Sequence, residues 1–429
     1  MSNRLCLGSA PARSPASKDL RESIVPHIIA DCVAAMMKPV MPAPARTLAF
    51  EILRLVEDGG YAGDLLHARG AALTERDRGL ASELVLGSLR RQAQLDFLIG
   101  HYSGRAPVKM DREVRIALRM GIYQLRYLTR VPAHAAVSES VELVRRARKS
   151  SALGLVNAVL RKVNRWPVAW PDRATQLSLP EWIWTRWVKA FGAEMATSIG
   201  EAFLEAPEHY LRVPKGHEEE ARLLGARPCP EQGCFLMGSG GAGSFRRQDI
   251  GSQSVVPLLD LQPDQRFLDV CSAPGNKTAQ ALESGVRAVA CDVHESRLRD
   301  LRGLACRLVV ADGTGALPFR GGFERILVDA PCSGTGTLRG NPEIRWRVQA
   351  ADLVDLHGRQ VKILRNSLDQ LAPGGRLVYS TCSLETEENE EVVNEVLASA
   401  GGRFRLSGQM QRLPGRDAGD GFYAAVLTS

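Results

Sequence analysis

The stretch Arg266-Phe267-Leu268-Asp269-Val270-Cys271-Ser272-Ala273-Pro274-Gly275-Asn276-Lys277-Thr278 decides the fold of this 429-residue chain. A short β-rich run, 267–270, ends in a turn of small residues that opens a helical pattern. Runs of the same texture recur at 288–292, 307–311, 326–329, 376–380 and 423–427, with helical periodicity between them. Strands alternating with helices predict an α/β domain, doubly wound about a mostly parallel sheet, over residues 251–429. Ligands of such a sheet lie outside the carboxyl ends of its strands. Nearly every unusual residue cluster of the chain falls at one of those ends.

The turn after the first strand offers backbone N–H groups and a helix start to an anionic ligand. Asn276-Lys277-Thr278 imitates part of a P-loop, but that loop needs Gly where Asn276 and Cys271 stand. The G-x-G-x-x-G dinucleotide pattern is also absent from this turn, so neither ATP nor NAD is favoured. The second strand ends at Asp292, 23 residues past Asp269, where an acid can accept both ribose hydroxyls of a nucleoside. The third ends in Asp312, beside the expected position of an adenine. Each Asp alone is ordinarily a turn or cap residue. Together with the first turn they predict a nucleoside cofactor.

The fourth strand runs into Asp329-Ala330-Pro331-Cys332-Ser333-Gly334-Thr335-Gly336, and the fifth into Tyr379-Ser380-Thr381-Cys382-Ser383. Neighbouring strands would aim both thiols at one crevice, whereas structural cysteines belong inside strands or on buried helix faces. A thiol so placed has a defined use. Carbon 5 of cytosine is a poor nucleophile, but a thiolate added at carbon 6 turns the ring into an enamine. Carbon 5 then attacks a sulfonium methyl, and loss of its proton expels the thiol. Asp329 is expected to stabilise the charge that develops at ring nitrogen 3 or the amino group. An amino-group methyltransferase needs no thiol and shows Asp/Asn-Pro-Pro-aromatic here. The residues alone do not rank Cys332 against Cys382.

Upstream, residues 45–165 are helical in pattern: Leu48, Ile52, Leu55 and Val56 set the periodicity, and Leu118, Ile122 and Leu125 repeat it. This block holds 21 Lys+Arg against 12 Asp+Glu, an excess of nine in a chain whose net charge is +7. Arg112, Arg115, Arg119 and Arg126 share one helical face; Arg145, Arg146, Arg148 and Lys149 form a second cluster, and Arg161, Lys162 and Arg165 a third. They are expected to contact RNA phosphates, the alternative being solvated faces. Residues 166–250 read as a linker and small RNA-binding subdomain, with Trp182, Trp184 and Trp187 in packing and 238–244 as a flexible loop. Residues 1–44 read as an extension with a weak amphipathic piece at 24–37, and Met41 as an alternative start.

Composition is that of a globular protein, 45% hydrophobic and 24% charged, which excludes a largely disordered chain. Nine cysteines, without a C-x-x-C pair or zinc spacing, predict no metal site and a reducing, cytoplasmic setting.

The strand-end sequences resemble those of the RNA cytosine-5 methyltransferase family over residues 245–429. The helical block resembles a NusB-like RNA-binding domain. The pair is similar to bacterial RsmB/Sun-type enzymes acting on 16S rRNA. The resemblance implies a Rossmann-like methyltransferase domain with S-adenosylmethionine (S-adenosyl-L-methionine) as donor. It implies donor contacts at Cys271, Ser272, Ala273, Pro274, Gly275, Asn276, Lys277, Asp292, Asp312 and Asp329. It assigns the nucleophile to Cys382 and a second thiol, which helps release the product, to Cys332. Asn276 stands where the family most often has Gly, and Ser272 where Ala is common. Pro214 replaces an Asn frequent after Leu211-Arg212-Val213. The acidic run 385–391 suits the start of a helix and is given no catalytic role. Alternatives are the same chemistry on tRNA or 23S rRNA, and a non-catalytic ribosome-assembly factor.

Overall fold

The computed structural model describes residues 45–429; the expected extension, its amphipathic piece and Met41 lie outside the described residues. The helical periodicity resolves into α-helices Ala45–Glu57, Ala62–Gly70, Glu75–Arg90, Gln92–Ser103, Arg112–Tyr127, Ala133–Arg146 and Leu153–Lys162. Their apolar stripes meet in one core in which Ile52, Leu84, Leu98, Ile122, Val144 and Val156 are wholly buried. Each such side chain contributes about 1.5–3 kcal/mol relative to exposure.

The arginine face of helix Arg112–Tyr127 is committed within the protein. Arg115 and Arg119 pair with Glu57, Arg119 also with Asp96, and Arg112 with Asp58. Arg126 donates to the carbonyls of Asn164 and Trp166. Glu57, Asp58 and Asp96 engage three of these guanidinium groups and backbone carbonyls the fourth, so the face expected to grip RNA is largely an ion-pair network within the protein. The second cluster is partly committed as well: Arg145 and Arg146 pair with Glu142, and Lys149 with Asp111.

Between residues 166 and 250, three helices precede a small antiparallel sheet of β1 (Tyr210–Arg212), β2 (Arg227–Pro228), β3 (Cys234–Leu236) and β4 (Arg246–Arg247), in the order β2-β3-β1-β4. Trp187 is wholly buried, and Trp182 and Trp184 pack beside it. The stretch 238–244 is a packed wrap. A Cβ on Gly238 would come within 2.3 Å of the Gly225 backbone, and one on Gly240 within 2.8 Å of the Leu224 carbonyl. These glycines are small because the loop closes around Leu224, although Gly238, Gly240 and Gly243 have dinucleotide spacing.

The C-terminal half is built on a seven-stranded sheet, β10-β11-β9-β8-β5-β6-β7. It comprises β5 (Arg266–Asp269), β6 (Arg287–Asp292), β7 (Cys306–Val310), β8 (Phe323–Asp329), β9 (Leu371–Thr381), β10 (Arg405–Arg412) and β11 (Phe422–Thr428). The five strands β5 to β9 run parallel, while β10 and β11 close the edge antiparallel. The chain starts in the middle at β5, winds outward to β7, and crosses back to β8. The order therefore reverses between β5 and β8, where ligands of such sheets bind.

The segment after the first thiol loop locks the two halves together. Arg345 is wholly buried and donates to the carbonyls of Arg90, Ser178, Phe203 and Leu338, at 3.0–3.2 Å. Trp346 donates to Leu89, Arg347 to Gly60, and Glu343 accepts from the Ala62 N–H. Arg345→Ala leaves four buried carbonyls without donors and is expected to lower stability by about 3–5 kcal/mol. Urea unfolding checks this beside Arg148→Ala, an exposed-side-chain control expected to change stability by under about 0.5 kcal/mol. Equal small losses in both would contradict the lock.

Candidate active site

The first turn is held by its neighbours. Ser272 donates through both its N–H and its hydroxyl to the Cys291 carbonyl, at 2.8 Å each. Asp292, buried at the end of β6, accepts from the N–H groups of Ala273 and His294. Pro274 precedes Gly275, whose φ of +98° is the left-handed turn; a Cβ there would meet Leu301 at 2.6 Å. Asn276 opens the helix instead of taking the left-handed position, and its amide donates to the Arg247 carbonyl of β4. Cys271 is half-buried, and burial pushes its thiol well above the ordinary range.

Below this turn, Asp269 is buried and accepts from the Thr278 hydroxyl at 2.6 Å. Its other oxygen has no partner. Burial pushes this carboxyl up to about 7, and Asp329 and Asp292 add to the rise, while Thr278 and Lys277 oppose it. Lys277 crosses the switch point to Asp329 at 2.8 Å, and its ammonium lies 5.1 Å from the ring centroid of Phe422. Ser380 donates to the other Asp329 oxygen. Asp312 caps its own loop by accepting from the Thr314 N–H and hydroxyl, bonds that hold its carboxyl below the usual range.

The thiols emerge side by side. β8 and β9 are paired with Asp329 opposite Ser380, and the Ala330 N–H donates to Ser380. Three residues past Asp329 and two past Ser380, the sulfurs of Cys332 and Cys382 lie 3.3 Å apart. The hydrogen bond with Cys382, and then burial, push the Cys332 thiol well above its ordinary range. The two sulfurs are within hydrogen-bond distance, and either can donate.

One wholly buried carboxyl holds both loops. Glu388 accepts from the Ser333 N–H at 2.8 Å, from both the Ser333 and Ser383 hydroxyls, and from Gln360 at 3.0 Å. The acidic run was expected only to suit the start of a helix. Glu388 instead ends a 3₁₀ turn, Thr386–Glu388, ahead of helix Glu390–Ser399, and faces inward. The signal was a pair of serines, one directly after each cysteine: two buried hydroxyls at matching places call for a shared acceptor. A cavity of about 780 Å³ at the amino ends of β5 to β7, lined by Ala288, Cys306 and Phe323, lies away from this chemistry.

The turn fits a nucleoside methyl donor. Asp269 leaves an unpartnered buried oxygen for a cationic group, and Asp292 and Asp312 follow on the next two strands. Among the described residues, no helix is long and apolar enough to cross a membrane. Residues 256–428 match the family model described as 16S rRNA methyltransferase RsmB/F, and residues 43–165 match the NusB family. Ribosomal RNA small subunit methyltransferase B of Klebsiella pneumoniae (strain 342) is 32% identical over 425 residues, covering 89% of this chain and 97% of that protein. The crystal structure of PH0851 superposes with a TM-score of 0.74 at 21% identity, over 91% of this chain and 100% of that one. NSun6 from Pyrococcus horikoshii with SFG gives 0.51 at 19% identity, over 58% and 98%. With S-adenosylmethionine as its methyl donor, the chain belongs to the 16S rRNA methyltransferase RsmB/F family.

Proposed function

We propose that the chain methylates carbon 5 of a cytosine in 16S rRNA through a covalent bond to Cys382. The contact between the Cys332 and Cys382 sulfurs at the ends of adjoining strands, beside Lys277–Asp329, carries this reading. Cys382 is taken as the attacking sulfur and Cys332 as its partner, the roles that the resemblance of Ser380-Thr381-Cys382-Ser383 and Pro331-Cys332 to the family implies. Its thiolate bonds to carbon 6, and the ring electron pair shifts toward nitrogen 3, where the Asp329–Lys277 pair stabilises the change in charge. The donor supplies an electrophilic methyl on sulfur. Carbon 5 takes that methyl, releases its proton, and the returning electron pair expels the Cys382 thiolate. Cys332 then stands against the freed sulfur and assists release. The cytosine reaches the crevice unpaired or flipped.

The helical block supplies phosphate contacts through charges other than the internal network. Arg105 and Lys109 have no side-chain partner among the described residues and line a groove of about 710 Å³ with Ser151 and Leu155. Contacts of this kind position an RNA without reading its bases.

Cys382→Ala is expected to abolish methyl transfer while donor affinity stays within about twofold, because no donor contact is assigned to that sulfur. Tritium transfer to rRNA and a donor-binding titration check both arms; retained turnover would remove Cys382 as nucleophile.

Donor binding is expected to depend on pH through Asp269. A cationic donor beside a carboxyl pushed up to about 7 favours its ionised form and releases a proton on binding. Affinity therefore rises with pH, by about tenfold from pH 6 to pH 8, and levels off above. Titration across this range checks it, with Asp269→Asn expected to remove the dependence. A flat profile in the unaltered protein would contradict it.

A further inference from the structure

We propose that Cys332 and Cys382 are also a redox modification site, closing into a reversible disulfide when the protein meets a hydroperoxide. The effect on methyl transfer rests on the function proposed above; the cross-link itself rests only on geometry. The sulfurs already touch at 3.3 Å, so bond formation requires a closure of about 1.3 Å to the usual 2.05 Å. Both residues are half-buried, which leaves a path for a small oxidant. The loops cannot drift apart, because Glu388 binds Ser333 and Ser383, and the Gly336 N–H donates to the Cys382 carbonyl at 2.9 Å.

A second pair of thiols also meets, outside the active-site crevice. Cys229 and Cys234 lie in and beside the small sheet, joined by a backbone hydrogen bond and by a contact between their thiols, and burial pushes both thiols up. Cys271 and Cys291 are pushed up by burial too, without a sulfur contact like that of the active-site pair.

The chemistry balances with a hydroperoxide as the two-electron acceptor. The Cys382 thiolate attacks one peroxide oxygen; the S–O bond forms, the O–O bond breaks, and hydroxide leaves to become water. Cys332 then gives up its proton as its sulfur attacks the Cys382 sulfur. The S–S bond forms, the S–O bond breaks, and a second water departs. The sulfurs lose two electrons, and the peroxide oxygens gain them. A dithiol reverses the change by exchange. In this reading Cys332 has a second duty, since it intercepts the sulfenic acid before further, irreversible oxidation.

The test treats the full chain with hydrogen peroxide, alkylates remaining thiols under denaturing conditions, and maps the peptides by mass. The expected product is one link between the Cys332 and Cys382 peptides, about 2 Da lighter than the two free thiols. Methyl transfer should fall by about tenfold or more and return within about twofold after dithiothreitol. In Cys332→Ser the expected product is instead sulfinic acid on Cys382, which dithiothreitol leaves unchanged. Sulfinic acid on Cys382 of the unaltered protein, or a link formed by another cysteine pair, would overturn the proposal. A link with undiminished methyl transfer would leave the modification site standing and remove Cys382 as nucleophile, which separates the two readings.

Discussion

Glu388, itself wholly buried, accepts hydrogen bonds from both cysteine loops, and the geometry of the thiols follows from it. Each loop leaves its own strand, so β8–β9 pairing brings the loops together but does not orient them. Ser333 and Ser383 meet at 3.1 Å and share one Glu388 oxygen, which leaves the preceding cysteines facing each other. Gln360 adds the Pro331 carbonyl to the same network. Removing such an acceptor strands several buried donors at once, a loss larger than any one of these bonds contributes.

Two further constraints extend from this core. Lys277 spans from the donor turn to Asp329 and couples the cofactor side of the switch point to the thiol side. Arg345, thirteen residues past Cys332, draws the carbonyls of the helical block and the tryptophan-rich helices to the same segment. The NusB-like half is thus fastened to the loop that carries one of the thiols. Movement of either half would be felt at the sulfurs through a short run of backbone.

The sequence made the sheet legible where its strands are buried on both faces. Runs such as Leu268, Ile326 and Leu377 announce themselves as apolar, and their acidic or thiol-bearing ends mark the ligand side. β10 escaped notice because Arg405–Arg412 is polar and exposed, held by its pairing with β11 alone. The strands of the small sheet have two or three residues, too few for any periodicity. Charge was the poorest guide. Spacing put four arginines on one face, but only the fold shows that Glu57, Asp58 and Asp96 stand opposite three of them. Glu388 was hidden for the same reason: an acidic run reads as solvent-exposed until its neighbours are known.

The central claim is that Cys382 bonds to a cytosine and Cys332 frees it. The most direct measurement expresses Cys332→Ala in bacterial cells, isolates the protein under denaturing conditions, and sequences any RNA still attached. The account predicts an adduct at one cytosine of 16S rRNA, through Cys382. An absence of adduct, with the unaltered protein methylating the same RNA, would contradict these thiol roles.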